Sequence, residues 1–185
     1  MPWTATALVL VLMMARSLPR RTLVGAAAAL SIPREYAMAS QPSLDLPSIG
    51  LGTCCDEAEV ARDLIVDGLA AGFRLLDTSS HYPSESVVGE AIEIAEARGI
   101  VRRRDVTVCT KVWFDDMGYE PALASAVRSL SRLRAEQLDL LLIHFPGTID
   151  AVQEPKRNSE VRRATWRALE QLQADGRVRN IGISK

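Results

Sequence analysis

Five short apolar runs in this chain each end in residues that a hydrocarbon core rejects. LPSIGL ends in Gly52-Thr53, FRLL in Asp77-Thr78, VTVC in Thr110-Lys111, LDLLLI in His144 and VRNIGI in Ser184. These ends include a carboxylate, an ammonium and an imidazole, groups that hold or move protons in proteins. Tyr82 follows Asp77 closely and can lean over the same place. Taken singly, each has a plain explanation. A lysine at a strand end commonly snorkels to the surface, Asp77 can cap a following helix, Tyr82 can pack as an aromatic, and His144 can be a satisfied core histidine. Their weight comes from shared position. If the five runs are parallel strands of one barrel, their C-terminal tips meet at one mouth, the face on which such barrels carry their active sites. A metal is not expected, because His81 and His144 have no companion ligands at suitable spacing.

The elements that must position these residues are legible as a repeating beat. In DEAEVARDLIVDGLAAG, Val60, Ala61, Leu64, Ile65 and Leu69 recur at helical spacing, acids come early and Gly72 supplies a stop. From Ser84, a candidate cap, Val87, Val88, Ala91, Ile92 and Ala95 form a second stripe that Gly99 ends. Helices are also predicted over Glu120 to Leu133 and over Ser159 to Gly176, the latter with Trp166, Leu169 and Leu172 on one face. Between them the apolar runs are short, continuous and rich in Val, Ile and Leu, as in parallel strands buried on both faces. Alternation of this kind allows a doubly wound sheet or a (β/α)8 barrel. The first turn reads Gly50-Leu51-Gly52-Thr53-Cys54-Cys55 and lacks the third glycine of the dinucleotide fingerprint. The fold class expected is therefore α/β, a partial (β/α)8 TIM barrel with about five β-α units.

Composition sets the outer limits. The chain has 185 residues, 48% hydrophobic and 24% charged, which suits a globular domain. A net charge of −1 speaks against nucleic acid as a partner. The three cysteines, Cys54, Cys55 and Cys109, form neither a disulfide framework nor a zinc spacing and read as incidental or buried thiols. Residues 1–40 are of another kind. An apolar stretch from Ala5 to Ala15, then Arg16, Arg20 and Arg21, a second apolar run to Leu30, and Ala37-Met38-Ala39 before Ser40 have the parts of an export signal. The arginine pair resembles a twin-arginine signal. This segment is expected to be a targeting sequence, suited to a plastid, with the secretory pathway or cytoplasm as alternatives. Residues 41–185 form the barrel domain, with no membrane association after processing.

From Pro47 through Ser184 the chain resembles the aldo-keto reductase family. The carrying motifs are GLGT (50–53), GFRLLDTSSHYPSE with VGEAI following (72–92), TKVW (110–113), LDLLLIHFP (138–146) and GRVRNIGIS (176–184). The resemblance implies a catalytic tetrad of Asp77, Tyr82, Lys111 and His144, with NADPH as cofactor and a small carbonyl compound as substrate. In that reading an aldehyde or ketone is reduced to an alcohol. Tyr82 donates the proton, Lys111 stabilises the phenolate, Asp77 pairs with Lys111, and His144 orients the carbonyl oxygen. Gly52, Thr53, Asp77 and Ser184 are implied in cofactor binding, and Trp113 joins His144 at the substrate. Two positions depart from the family pattern: Lys185 follows Ser184 where Asn is usual, and Ser84 also stands where Asn is common. Five strands are accounted for, so a polypeptide of this extent is expected to be an incomplete barrel without turnover of its own. The alternative is a non-catalytic cofactor-binding or regulatory module of the same fold.

Overall fold

The computed structural model describes residues 46–54, 58–149 and 153–185. The targeting segment expected over residues 1–40 lies outside them. Among the described residues five strands alternate with four α-helices: β1 (Leu51–Gly52), α1 (Ala58–Ala70), β2 (Leu75–Asp77), α2 (Ser84–Ala97), β3 (Thr107–Val112), α3 (Tyr119–Arg132), β4 (Leu138–Ile143), α4 (Pro155–Ala174) and β5 (Val178–Ile183). The strands form one sheet in the order β1-β2-β3-β4-β5, every pair parallel. A doubly wound sheet reverses its strand order at a switch point. Here each strand is added on the same side as the last, which is the arc of a barrel.

Side chains alternate across each strand and so divide into two sets. Leu76, Val108, Val112, Leu141 and Ile143 join the helices in the main core. Leu75, Cys109 and Leu140 form a smaller cluster on the opposite, inner side, with Leu46 and Leu142 against it. Continuing the alternation, Asp77 and Lys111 stand on the inner side above Leu75 and Cys109. Parallel registry places Asp77 beside Cys109 and Lys111 beside Leu142. The charged groups thus belong to the barrel interior near its upper rim.

Turns follow residue chemistry. Gly72 and Gly99 end α1 and α2 at φ of 105° and 70°, the left-handed region that glycine enters at little steric cost. Gly89 has a different reason. A Cβ there would lie 2.9 Å from backbone atoms of Arg132 and Leu133, so its absence lets α2 press against the end of α3. Gly89→Ala is expected to lower stability by about 1–3 kcal/mol, read as a lower urea midpoint with unchanged slope.

Several expectations are corrected by the structure. Val60 and Leu64 are 49% and 42% exposed; the buried stripe of α1 is Ala61, Ile65, Val66 and Leu69. Ser84 does not cap α2, because it is already the first helical residue and its hydroxyl turns inward to Thr53 and Thr78. The fourth helix starts before Ser159: Pro155 opens α4, where its missing N–H is harmless. β5 is not buried on both faces. It is the sheet's edge, and Ile183 is 63% exposed. Nor are all the cysteines unpaired thiols: Cys54 is disulfide-bonded, while Cys109 is free and buried.

Candidate active site

The tip of β2 and the end of β3 bring the first two tetrad residues together. Lys111 Nζ donates to Asp77 Oδ1 at 2.5 Å and to the carbonyl oxygen of Thr78 at 2.8 Å. The Lys111 side chain is 7% exposed and that of Asp77 24%. A nearly buried ammonium is stable there because the carboxylate and the carbonyl replace its water. Of its three N–H donors, two are engaged, and the third has no partner among the described residues.

His144 follows β4 and is likewise buried. Its backbone N–H donates to the Val112 carbonyl at 3.1 Å, which fixes it beside the end of β3. Its Nδ1 lies 3.1 Å from Ser79 Oγ. Burial, followed by the charge of Lys111 and then of Lys185, pushes the imidazole pKa down to about 4, so the ring is neutral at pH 7. The depressed value has a sign. An unfolded histidine takes up its proton near ~6.5 while the folded ring resists, so His144 contributes stability that is fully present above that value. It is lost as pH falls toward about 4. Urea midpoints measured between these limits should decline, and the decline should be smaller in His144→Gln.

Tyr82 stands over the same opening. Its backbone N–H donates to the Ser79 carbonyl at 2.9 Å, closing a tight turn. Its half-buried ring meets His144 edge-on, 6.0 Å between centroids at 80°. The hydroxyl has no hydrogen bond among the described residues, which leaves it available to a ligand. Trp113, just past β3, forms the adjoining wall, edge-on to His144 at 5.0 Å and to Phe145 at 5.2 Å. His81 lies flat on Trp113, 4.1 Å away at 5°.

The remaining expected residues divide. Gly52 pairs with Asp77 in register, and Ser184, exposed, donates its N–H to the Ile143 carbonyl at 2.9 Å. Thr53 is buried, and its hydroxyl is already committed to the Asp77 carbonyl and Ser84, each at 3.2 Å. It therefore shapes the β1 tip from below. The structure thus gathers Asp77, Tyr82, Lys111, His144 and Trp113 at one mouth, with Gly52 and Ser184 at strand tips on the same rim. Sequence reasoning missed Ser79, the partner of His144, and the stacking of His81 on Trp113. Ser79 lies two residues past Asp77, but nothing local distinguishes it from Ser80, whose buried hydroxyl has no hydrogen-bond partner among the described residues.

Comparison with known proteins agrees with this architecture. The pattern of the aldo/keto reductase family matches residues 48–185. Glyoxal reductase of Bacillus subtilis is 37% identical over 142 residues, which cover 76% of this chain and 46% of that protein. The 9,11-endoperoxide prostaglandin H2 reductase of Trypanosoma cruzi is 39% identical over 144 residues, 77% of this chain and 45% of that one. Among solved structures, a Bombyx mori aldo-keto reductase in complex with NADP superposes with a TM-score of 0.63 at 30% identity, covering 72% of this chain and 45% of that chain. An aldo-keto reductase from a deep-sea metagenome gives 0.64 at 34% identity, over 75% and 46% respectively. The chain spans about half the length of the curated relatives it matches. With a family pattern running across the whole described barrel segment, the chain belongs to the aldo/keto reductase family.

Proposed function

We propose that this chain carries the reacting groups of an NADPH-dependent reductase that converts small aldehydes and ketones to alcohols. The observation that supports this best is the Lys111–Asp77 pair beneath a mouth that Tyr82 and His144 share. Family membership and NADP-bound structural neighbours point the same way.

The donors at the mouth suit a nicotinamide. Ser184 offers an exposed hydroxyl for a carboxamide, Gly52 and Asp77 border the path, and Trp113 presents an aromatic wall. When bound, the reduced cofactor supplies the hydride. The protein's part is electrostatic and geometric. Tyr82 gives its hydroxyl proton to the carbonyl oxygen as that oxygen becomes an alkoxide. Phenol is a weak acid, with pKa about 10, and the Lys111 ammonium favours the phenolate left behind. Asp77 and the Thr78 carbonyl keep that ammonium in place. Neutral His144 orients the substrate: if Ser79 donates to Nδ1, the ring proton sits on Nε2 and can hydrogen-bond the carbonyl oxygen.

On this reading these groups, carried on the arc of five parallel strands, act on a carbonyl when the cofactor is bound. NADPH oxidation with a small aldehyde tests it, run on the chain and on a chimera completed with the second half of the B. subtilis relative. Aldehyde-dependent oxidation by the chimera supports the reading. Cofactor binding without oxidation would favour a non-catalytic cofactor-binding module, and absence of both would overturn the proposal.

A further inference from the structure

At the start of α2 a carboxylate is buried that the proposed reduction does not use. An acid in a helix's first turn ordinarily sits in water, favoured by the positive end of the helix dipole. Glu85 instead is 0% exposed, and a carboxylate so placed must find partners. It has two. Thr110 donates its hydroxyl proton to Oε1 at 2.7 Å, and Arg132, the last residue of α3, donates from Nη1 to Oε2 at 3.3 Å. The same Arg132 nitrogen donates to the Ser80 carbonyl at 3.0 Å. One turn further along the same face of α2, Gly89 allows close approach to the backbone of Arg132 and Leu133. The two helices are therefore brought together at the point where the ion pair forms.

What these contacts hold is the segment that carries Tyr82. Thr110 immediately precedes Lys111, and Ser80 lies two residues before Tyr82. The segment runs along the end of β3, with Thr78 N–H on the Cys109 carbonyl at 2.8 Å and Ser80 N–H on the Lys111 carbonyl at 3.1 Å. The Tyr82 hydroxyl has no hydrogen bond of its own among the described residues. Its direction follows from the backbone beneath it and from the edge-on contact of its ring with His144.

We propose that Glu85, acting through Arg132 and Thr110, is a positioning residue that latches the Tyr82 loop to β3 and α3. The latch keeps the tyrosine hydroxyl in register with the Lys111–Asp77 pair. Its catalytic consequence rests on the reading of Tyr82 as proton donor; the latch itself does not.

The test uses the full chain carrying Glu85→Gln or Arg132→Met, labelled with fluorotyrosine. Amide exchange is followed residue by residue, together with the Tyr82 fluorine resonance, assigned by its disappearance in Tyr82→Phe. Both variants should speed exchange at the amides of residues 79–82 and 84 about tenfold, the scale set by losing a charge-assisted hydrogen bond. Amides of β3 and β4 should hold their rates, and the Tyr82 resonance should shift or broaden. Exchange that rises evenly across the molecule, or an unmoved Tyr82 resonance, would overturn the latch. Should Glu85→Gln not fold, Arg132→Met decides by the same readouts, since its side chain is 45% exposed. In the active chimera the latch further requires kcat to fall in both variants with KM unchanged. If the parent chimera reduces no carbonyl, the reductase reading fails while exchange and the fluorine signal still decide the latch.

Discussion

Tyr82→Phe is expected to slow carbonyl reduction by about 10²–10⁴-fold, the range for removing a general acid. The change deletes one oxygen and keeps the ring that packs edge-on to His144. That hydroxyl has no protein hydrogen bond among the described residues, so stability and cofactor affinity should stay near their original values. The loss should therefore appear in kcat, because the proton is transferred only as the alkoxide forms. Steady-state kinetics of the chimera, with NADPH affinity measured in parallel, give the answer. Reduction retained within tenfold would remove Tyr82 from the role of donor.

Lys111→Met should lower both stability and activity. It takes the ammonium from a carboxylate 2.5 Å away and leaves Asp77 on the barrel's inner side with its partner gone. Breaking a buried pair on one side costs about 3–5 kcal/mol, and Asp77, at 24% side-chain exposure, should fall toward the lower end. The Thr78 carbonyl also loses its donor. Activity should vanish as well, since nothing remains to stabilise the Tyr82 phenolate. The double variant Asp77→Asn, Lys111→Met separates the two effects. It should regain much of the stability, because no charge is left unpaired, and none of the activity. Urea denaturation of the single and double variants is the check. A double variant no more stable than Lys111→Met would mean that packing, not the uncompensated charge, dominates.

His144 adds the contrasting case of a group kept neutral. Its ring stacks on Phe145 at 4.6 Å and lies at 74° to the ring of Trp113, and burial, then the charge of Lys111, disfavours its protonation. The mouth thus sets the Lys111 and Lys185 side chains near one neutral hydrogen-bonding ring. This is the division of labour that the proposed proton donation beside an oriented carbonyl needs.

Much of this was decided locally and is legible along the chain. The alternation of short apolar runs with helical stripes gave the β-α order, because side-chain periodicity reports directly on which face is buried. Gly72 and Gly99 marked helix ends because few other residues adopt their positive φ. The polar residues ending each apolar run stood out because they break a hydrophobic pattern. Their shared position at the strand ends, with Tyr82 in the loop after Asp77, singled out Asp77, Lys111 and His144, and the family resemblance implied the tetrad.

Other features depend on contacts that local patterns cannot carry. Val60 and Leu64 match a helical stripe as well as Ala61 and Ile65 do, yet they face solvent, because the buried face depends on where the neighbouring helix lies. Ser84 reads as a cap and instead bonds Thr53 and Thr78 from inside the helix. Glu85 looks like an ordinary first-turn acid, and its burial follows only from Thr110 and from Arg132, 47 residues away. Lys111 and Asp77 are 34 residues apart, and Ser79 and His144 are 65 apart. The sequence by itself determined the elements and the chemical types at their ends, since backbone stereochemistry and burial period act within a few residues. The tertiary structure alone decided which of those groups pair, which are buried and which stay free for a ligand, since parallel strand registry and helix packing join residues that the chain keeps far apart.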